Sequence, residues 1–250
     1  MNGVNIVRMP RIDASTPMPE LVDRSSWLSA REALLDREKA HTREGDAIAA
    51  ARRRLPMTEL PDVELIGEHG ATRLLELFDG RPQLIVYKHM WHDGQPFEAQ
   101  CEGCTATIWD VQDASYLHAR DISFAVLSSG RWEELAPFRA FMGYRHPWFS
   151  NREVDDQLLG PETEGAYIAL LRRDERVFAT NWITGRGVEA MMSSMGLADM
   201  TAYGRQEEWE DSPAGWPQSP TFTAWRTDGR PTPQWSRPGA TPVAASAHHH

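Results

Sequence analysis

Both cysteines of the chain stand three positions apart in Cys101-Glu102-Gly103-Cys104, and two of its few histidines lie just upstream in Lys88-His89-Met90-Trp91-His92. Two thiols at that spacing can exchange two electrons with a disulfide, provided one is available as a thiolate and the other can reach back to resolve a mixed disulfide. A helix starting at Cys101 meets both needs. Its unpaired N–H groups favour an anion at the first sulfur, and Cys104 falls one turn inside. In this reading Cys101 is the nucleophile and Cys104 the resolving thiol. Lys88, His89 and His92 favour the thiolate, with Lys88 and His92 tuning the site, and Glu98 and Glu102 oppose it; no cofactor is required.

The same residues admit a second chemistry. His89-x-x-His92, eight residues, then Cys101-x-x-Cys104 offers two imidazoles and two thiolates, a donor set suited to copper, zinc or iron. Open coordination positions would let such a centre oxidise a small substrate with dioxygen, whereas a closed shell would be structural. Met90 could add a thioether, although a Met between such neighbours more often packs than ligates. A peroxidatic reading is weaker, because Glu98 stands where a Pro-x-x-x-Thr-x-x-Cys loop carries its threonine.

The elements that must position these groups follow from hydropathy and punctuation. Short apolar runs predict strands near Glu64–Ile66, Leu84–Tyr87, Ser123–Leu127, Trp148–Ser150, Tyr167–Arg172 and Val177–Trp182. Helices are predicted near Thr105–Arg120, Arg131–Met142 and Gly187–Met195. Strand, helix and strand around the cysteines make a βαβ unit with a parallel pair, and Arg173-Asp174-Glu175 turns a later hairpin. Upstream, Pro10, Pro17 and Pro19 mark an extended lead-in, and Ser25, Ser26 or Ser29 starts a helix that runs to about Arg54 before Pro56. Trp27, Leu34, His41, Ile48 and Leu55 recur every seventh residue along it, a stripe expected to pack on its own domain or else to pair two copies of the chain. The expected division is therefore 1–56 lead-in and amphipathic helix, 57–200 an α/β domain, 201–247 an irregular Trp-rich wrap, and 248–250 the remnant of a tag.

This order, βαβ, helix, strand, then ββα, is the plan of a thioredoxin-like domain with peroxiredoxin-like additions. The chain resembles a bacterial thioredoxin-like family of unknown function, often labelled predicted dithiol-disulfide oxidoreductases. The resemblance lies in Leu77-Phe78-Asp79-Gly80-Arg81-Pro82-Gln83-Leu84-Ile85-Val86-Tyr87, Cys101-Glu102-Gly103-Cys104-Thr105, Ala119-Arg120-Asp121-Ile122-Ser123-Phe124, Phe141-Met142-Gly143-Tyr144, Pro147-Trp148-Phe149-Ser150 and the run from Tyr203 to Pro217. It extends from about Trp27 to Trp225 and implies a dithiol oxidoreductase. Two departures from the wider thioredoxin pattern stand out. No proline immediately precedes the strand at Tyr167, and Glu102-Gly103 replaces the Gly-Pro of reducing thioredoxins.

Bulk properties narrow the partners. A formal net charge of -10 argues against a nucleic-acid footprint, which needs a concentrated basic face. The start lacks the apolar core of a signal peptide and no run reaches the roughly 20 apolar residues of a membrane span, so a soluble, cytoplasmic protein is expected, acting on a thiol, a disulfide or another small molecule. No nucleophile elbow or Gly-rich phosphate loop is present. His118, His146, Arg145, Arg152 and Arg186 are expected in helix ends and solvated loops, and the many tryptophans in core and grooves.

Overall fold

The computed structural model describes residues 9–237; Met1–Arg8, the last ten residues of the expected wrap and His248–His250 lie outside the described residues. Eight strands form one mixed sheet: β1 (Thr58–Leu60), β2 (Glu64–Gly67), β3 (Gly70–Arg73), β4 (Gln83–His89), β5 (Ile122–Ser128), β6 (Trp148–Ser150), β7 (Ala166–Arg173) and β8 (Arg176–Ile183). Their order is β1-β8-β7-β4-β5-β6-β2-β3. At its centre β4 runs parallel to β5 and antiparallel to β7, and β8 returns antiparallel to β7 through the two-residue loop Asp174-Glu175. This is the thioredoxin-like arrangement. No cis peptide occurs among the described residues, and Gly165, at φ +69°, is the residue that enters β7.

Alternation along β4 and β5 divides the interior into two cores. Leu84 and Val86 of β4, with Ala125 and Leu127 of β5, face one that includes Leu65, Leu74 and Phe78. Tyr87 of β4, with Phe124 and Val126 of β5, faces the other, which is closed by Cys104 and Ile108 of α2 (Glu102–Asp110) and by Leu135, Phe138 and Met142 of α4 (Trp132–Met142). Full burial of each such apolar side chain contributes about 1.5–3 kcal/mol.

Three expectations about helices are corrected. The helix of the lead-in, α1 (Arg24–Arg52), starts from Asp23, whose carboxylate accepts from the Ser26 N–H at 3.0 Å, rather than from a serine. It buries none of its residues, so its stripe does not pack into the domain core; Trp27, Leu34 and Ile48 remain exposed. Even with Leu28, Leu35 and Ala49 beside it, the stripe is interrupted by His41 and flanked by charges, which leaves too little continuous apolar surface to seat the helix.

The helix that follows the cysteines starts at Glu102, as the placement of Cys101 at its first turn requires, but the single helix expected to continue to Arg120 breaks after Asp110, resuming as α3 (Ser115–His118). In the break the Asp113 carboxylate accepts from the Ser115 N–H at 2.7 Å, a local turn that competes with helix continuation. The helix expected over Gly187–Met195 is likewise two, α5 (Arg186–Glu189) and α6 (Ser193–Asp199). Here the Asp110 carboxylate accepts from the Ser193 and Ser194 N–H groups, at 2.7 and 3.2 Å, and so fixes where α6 starts. The short edge strands β1 and β3 were not expected, because three- and four-residue segments this exposed carry little alternation.

His89 ends β4 inside the second core, among the rings of Trp148, Phe138 and Trp91 at 5.2, 5.8 and 6.2 Å. It is fully buried, and neither ring nitrogen finds a partner of ordinary hydrogen-bond geometry. That burial lowers its pKa to about 3, so it folds as a neutral imidazole. Below the ordinary histidine value the unfolded chain binds a proton that the folded chain refuses, so stability must fall as pH drops from about 6.5 towards 3, by up to about 1.4 kcal/mol per pH unit. His89→Leu should flatten the pH dependence of the unfolding free energy, read from urea titrations between pH 6 and 4, by that slope; a variant with the wild-type slope would show that the proton is refused elsewhere.

Candidate functional site

Cys101 is the N-cap of α2. Its backbone is non-helical, and its Sγ accepts from the Cys104 N–H at 3.4 Å, the place a serine or aspartate oxygen ordinarily takes. The two cysteines come within 3.2 Å of each other. Both are free thiols; Cys101 is half-buried and Cys104 buried. The first turn is anchored by the Thr105 hydroxyl, which donates to the Cys101 carbonyl at 2.8 Å, and by the Tyr144 hydroxyl, which donates to the Thr105 carbonyl at 2.8 Å.

The surroundings drive the two thiols apart. A hydrogen bond from the Cys104 side chain, helped by the Cys104 and Gly103 N–H groups, lowers the pKa of Cys101 against the opposing effects of burial and the Glu102 charge. Burial first, then the hydrogen bond given to Cys101, pushes Cys104 well above the usual thiol range. The Met90 N–H donates to Cys104 Sγ at 3.4 Å, and the Tyr87 hydroxyl also hydrogen-bonds it. An ionisable outer sulfur against a protonated inner one is the asymmetry that a nucleophile and a resolving thiol require.

The tuning residues expected from sequence lie elsewhere. Lys88 points from β4 into the face opposite to Tyr87 and His89. Its ammonium there pairs with Asp155 at 2.7 Å and donates to Thr163 Oγ1 at 3.0 Å. A buried ammonium held by a carboxylate is a structural pair, and Lys88 is corrected from a tuning to a fold-supporting residue. His92 is exposed on the following loop, tied by its backbone to Gln100: its N–H donates to Gln100 Oε1 at 2.9 Å and its carbonyl accepts from Gln100 Nε2 at 3.0 Å. None of the largest influences on either thiol comes from Lys88, His89 or His92. Nor do His89, His92, Cys101 and Cys104 make one shell: among the described residues no three His, Cys, Asp or Glu side chains converge to hold a metal ion. His89 sits within the aromatic core and His92 at the surface, which separates them from a common centre with the sulfurs.

Residues that sequence reasoning missed come from the far end of the chain. Arg226 Nη2 donates to the Glu102 carboxylate at 2.6 Å, and Arg230 Nη2 to the Glu98 carboxylate at 2.7 Å. Both acids that flank the dithiol are therefore matched by arginines of the C-terminal segment, in and beside the hairpin of β9 (Arg226–Thr227) and β10 (Arg230–Pro231). Arg226 also donates to the Glu98 carbonyl at 2.9 Å, and Gln234 Nε2 to the Phe97 carbonyl at 2.8 Å. Trp225 lies over Gly103, where a Cβ would meet its ring at 2.7 Å, so only glycine fits between the cysteines on that side. The expected irregular wrap is thus a clamp on the start of α2. A cavity of about 640 Å³ opens where Ala106 and Trp109 of α2 meet Met192, Met195, Ala198 and Trp225. Ala106, two residues past Cys104, faces away from the sulfurs, so this cavity is not the dithiol's own pocket.

The other candidates are structural. Arg152 pairs with Asp93 at 2.7 Å, Arg186 lies 3.6 Å above the Trp209 ring, and His146 Nε2 bonds the Val111 carbonyl at 2.6 Å.

Comparison with known proteins agrees with the family seen in the sequence. The chain belongs to the family described as "Bacterial protein of unknown function (DUF899)", whose model matches residues 16–228. Similar solved structures include peroxidoxin BcpB from Mycobacterium tuberculosis, with 16% identity and TM-score 0.41 over 54% of this chain and 90% of that one. A bacterioferritin comigratory protein from Xanthomonas campestris is 13% identical, with TM-score 0.36 over 56% of this chain and 94% of that one. A secreted disulfide oxidoreductase from Mycobacterium tuberculosis is 10% identical, with TM-score 0.34 over 52% of this chain and 92% of that one. No functionally curated protein matches the chain. No helix among the described residues is long and apolar enough to cross a membrane.

If Arg226 offsets the Glu102 charge at the nucleophile, Arg226→Ala should raise the apparent pKa of Cys101, read from the pH profile of iodoacetamide alkylation. Glu102→Gln added to that variant should bring the profile back. Failure of the second change to restore it would mean that Arg226 holds the segment in place and has no electrostatic effect on Cys101.

Proposed function

We propose that the protein is a thiol–disulfide oxidoreductase that works through the Cys101–Cys104 dithiol. The observation that carries this reading is the pairing of a half-buried sulfur, capping the start of α2, with a buried cysteine one turn on, the two residues within 3.2 Å of each other. The Cys101 thiolate attacks one sulfur of a substrate disulfide and displaces the other as a thiol, forming a mixed disulfide. Cys104 then attacks Cys101 Sγ, the second substrate sulfur leaves as a thiol, and the protein keeps the disulfide. Two electrons pass to the substrate, and a thiol reductant returns the protein to its dithiol state.

The geometry favours this over peroxide reduction. Glu98, in place of the threonine of a peroxidatic loop, is turned into an ion pair with Arg230. A dithiol of this kind draws its substrates from thiols, disulfides and small molecules that contain them.

With a small aromatic disulfide as substrate, Cys101→Ser should abolish reduction. Cys104→Ser should instead accumulate a covalent adduct on Cys101, visible by mass spectrometry. Full activity in both variants would sink the proposal.

A further inference from the structure

A third sulfur stands at this site with no place in the exchange chemistry. Met90, directly after β4, places its Sδ 3.9 Å from Cys101 Sγ, while its N–H donates to Cys104 Sγ. We propose that Cys101, Cys104 and Met90 form a three-sulfur binding site for copper(I). This inference shares the thiols with the exchange reaction but does not rest on it, since binding requires three sulfurs to converge and no turnover.

Geometry supports the set. Three sulfurs bound at about 2.3 Å to one ion in a trigonal plane lie about 4 Å from one another. The Cys101–Met90 separation is already at that value. Cys104 Sγ lies 3.4 Å from the Met90 N–H and the Cys104 N–H lies 3.4 Å from Cys101 Sγ, so a cysteine side-chain torsion is the adjustment that brings the third sulfur to the same centre. Met90 is held in position by more than its own rotamer. Gly165 approaches it from the entry to β7, and a Cβ there would lie 3.4 Å from Met90 Sδ, at a φ of +69° that side chains rarely adopt.

Chemistry then selects the ion. Two thiolates and a thioether make a soft donor set, and no His, Asp or Glu completes it among the described residues. Calcium and magnesium require oxygen ligands, and zinc with three protein donors adds a water to complete four positions, whereas thiolate and thioether sulfurs alone suit a monovalent soft ion in trigonal coordination. Cys101 and Met90 are half-buried, which leaves the ion a way in, and the buried Cys104 supplies the inner ligand. Binding releases both thiol protons to solvent and leaves one negative charge on the three-sulfur unit, beside the cation of Arg226.

Reduced full-length protein titrated anaerobically with copper(I) in the presence of bicinchoninate should withhold one ion per chain from the chelator. Cys101→Ser and Cys104→Ser should each lose that ion. Met90→Leu, with both thiols still titrating and its circular dichroism unchanged, should bind at least tenfold more weakly. X-ray absorption of the wild-type complex should count three sulfurs near 2.3 Å, a readout independent of how any variant folds. Surrender of the ion to the chelator, wild-type affinity in Met90→Leu, or a two-sulfur count would each overturn the proposal.

Discussion

The first turn of a helix leaves backbone N–H groups without intrahelical acceptors, and at α2 the acceptor supplied to one of them is the Cys101 sulfur. A thiol is a poor acceptor and a thiolate a good one, so the need of the helix and the reactivity of the sulfur favour the same charge state. The rest of the site follows from holding this turn still. Thr105 and Tyr144 bind its backbone, Trp225 covers its second residue, and the sheet brings the Met90 N–H to the inner sulfur. Burial, which would destroy the reactivity of a lone thiol, is divided unequally here, so that the sulfur which must wait is the one kept dry.

Much of this frame is legible in the sequence. β4, β5, β7 and β8 announce themselves as apolar runs bounded by turn residues, and the register that joins them is the one a βαβ unit followed by a hairpin must take. α4 ends where Gly143 can take the left-handed conformation. The break between α2 and α3 is harder to see, because the stretch keeps helical composition and only the Asp113–Ser115 contact decides against it. Lys88 is an instructive case. Its neighbours Tyr87 and His89 face the cysteines' core, and strand alternation alone puts the residue between them on the other side.

What sequence could not supply is the meeting of Glu102 with Arg226 and of Glu98 with Arg230. More than a hundred positions separate the partners, and the arginines lie in a segment with no periodicity, so nothing local marks them. Read alone, Glu102 is an unfavourable neighbour for a thiolate; in the folded chain its charge has a counterion at 2.6 Å. The glycine at 103 belongs to the same contact. In the sequence it is only a departure from the Gly-Pro of reducing thioredoxins, and in the fold it is the space that admits an indole.

That clamp also has a bearing on how the protein is made. Synthesis runs at about 5–20 residues per second, so Glu102 and its partner Arg226 are polymerised roughly 6 to 25 seconds apart. During that interval β4, α2 and β5 are already available to assemble, yet the two acids beside the sulfurs still lack their cations. The nascent dithiol therefore begins its life with a different electrostatic character from the finished one.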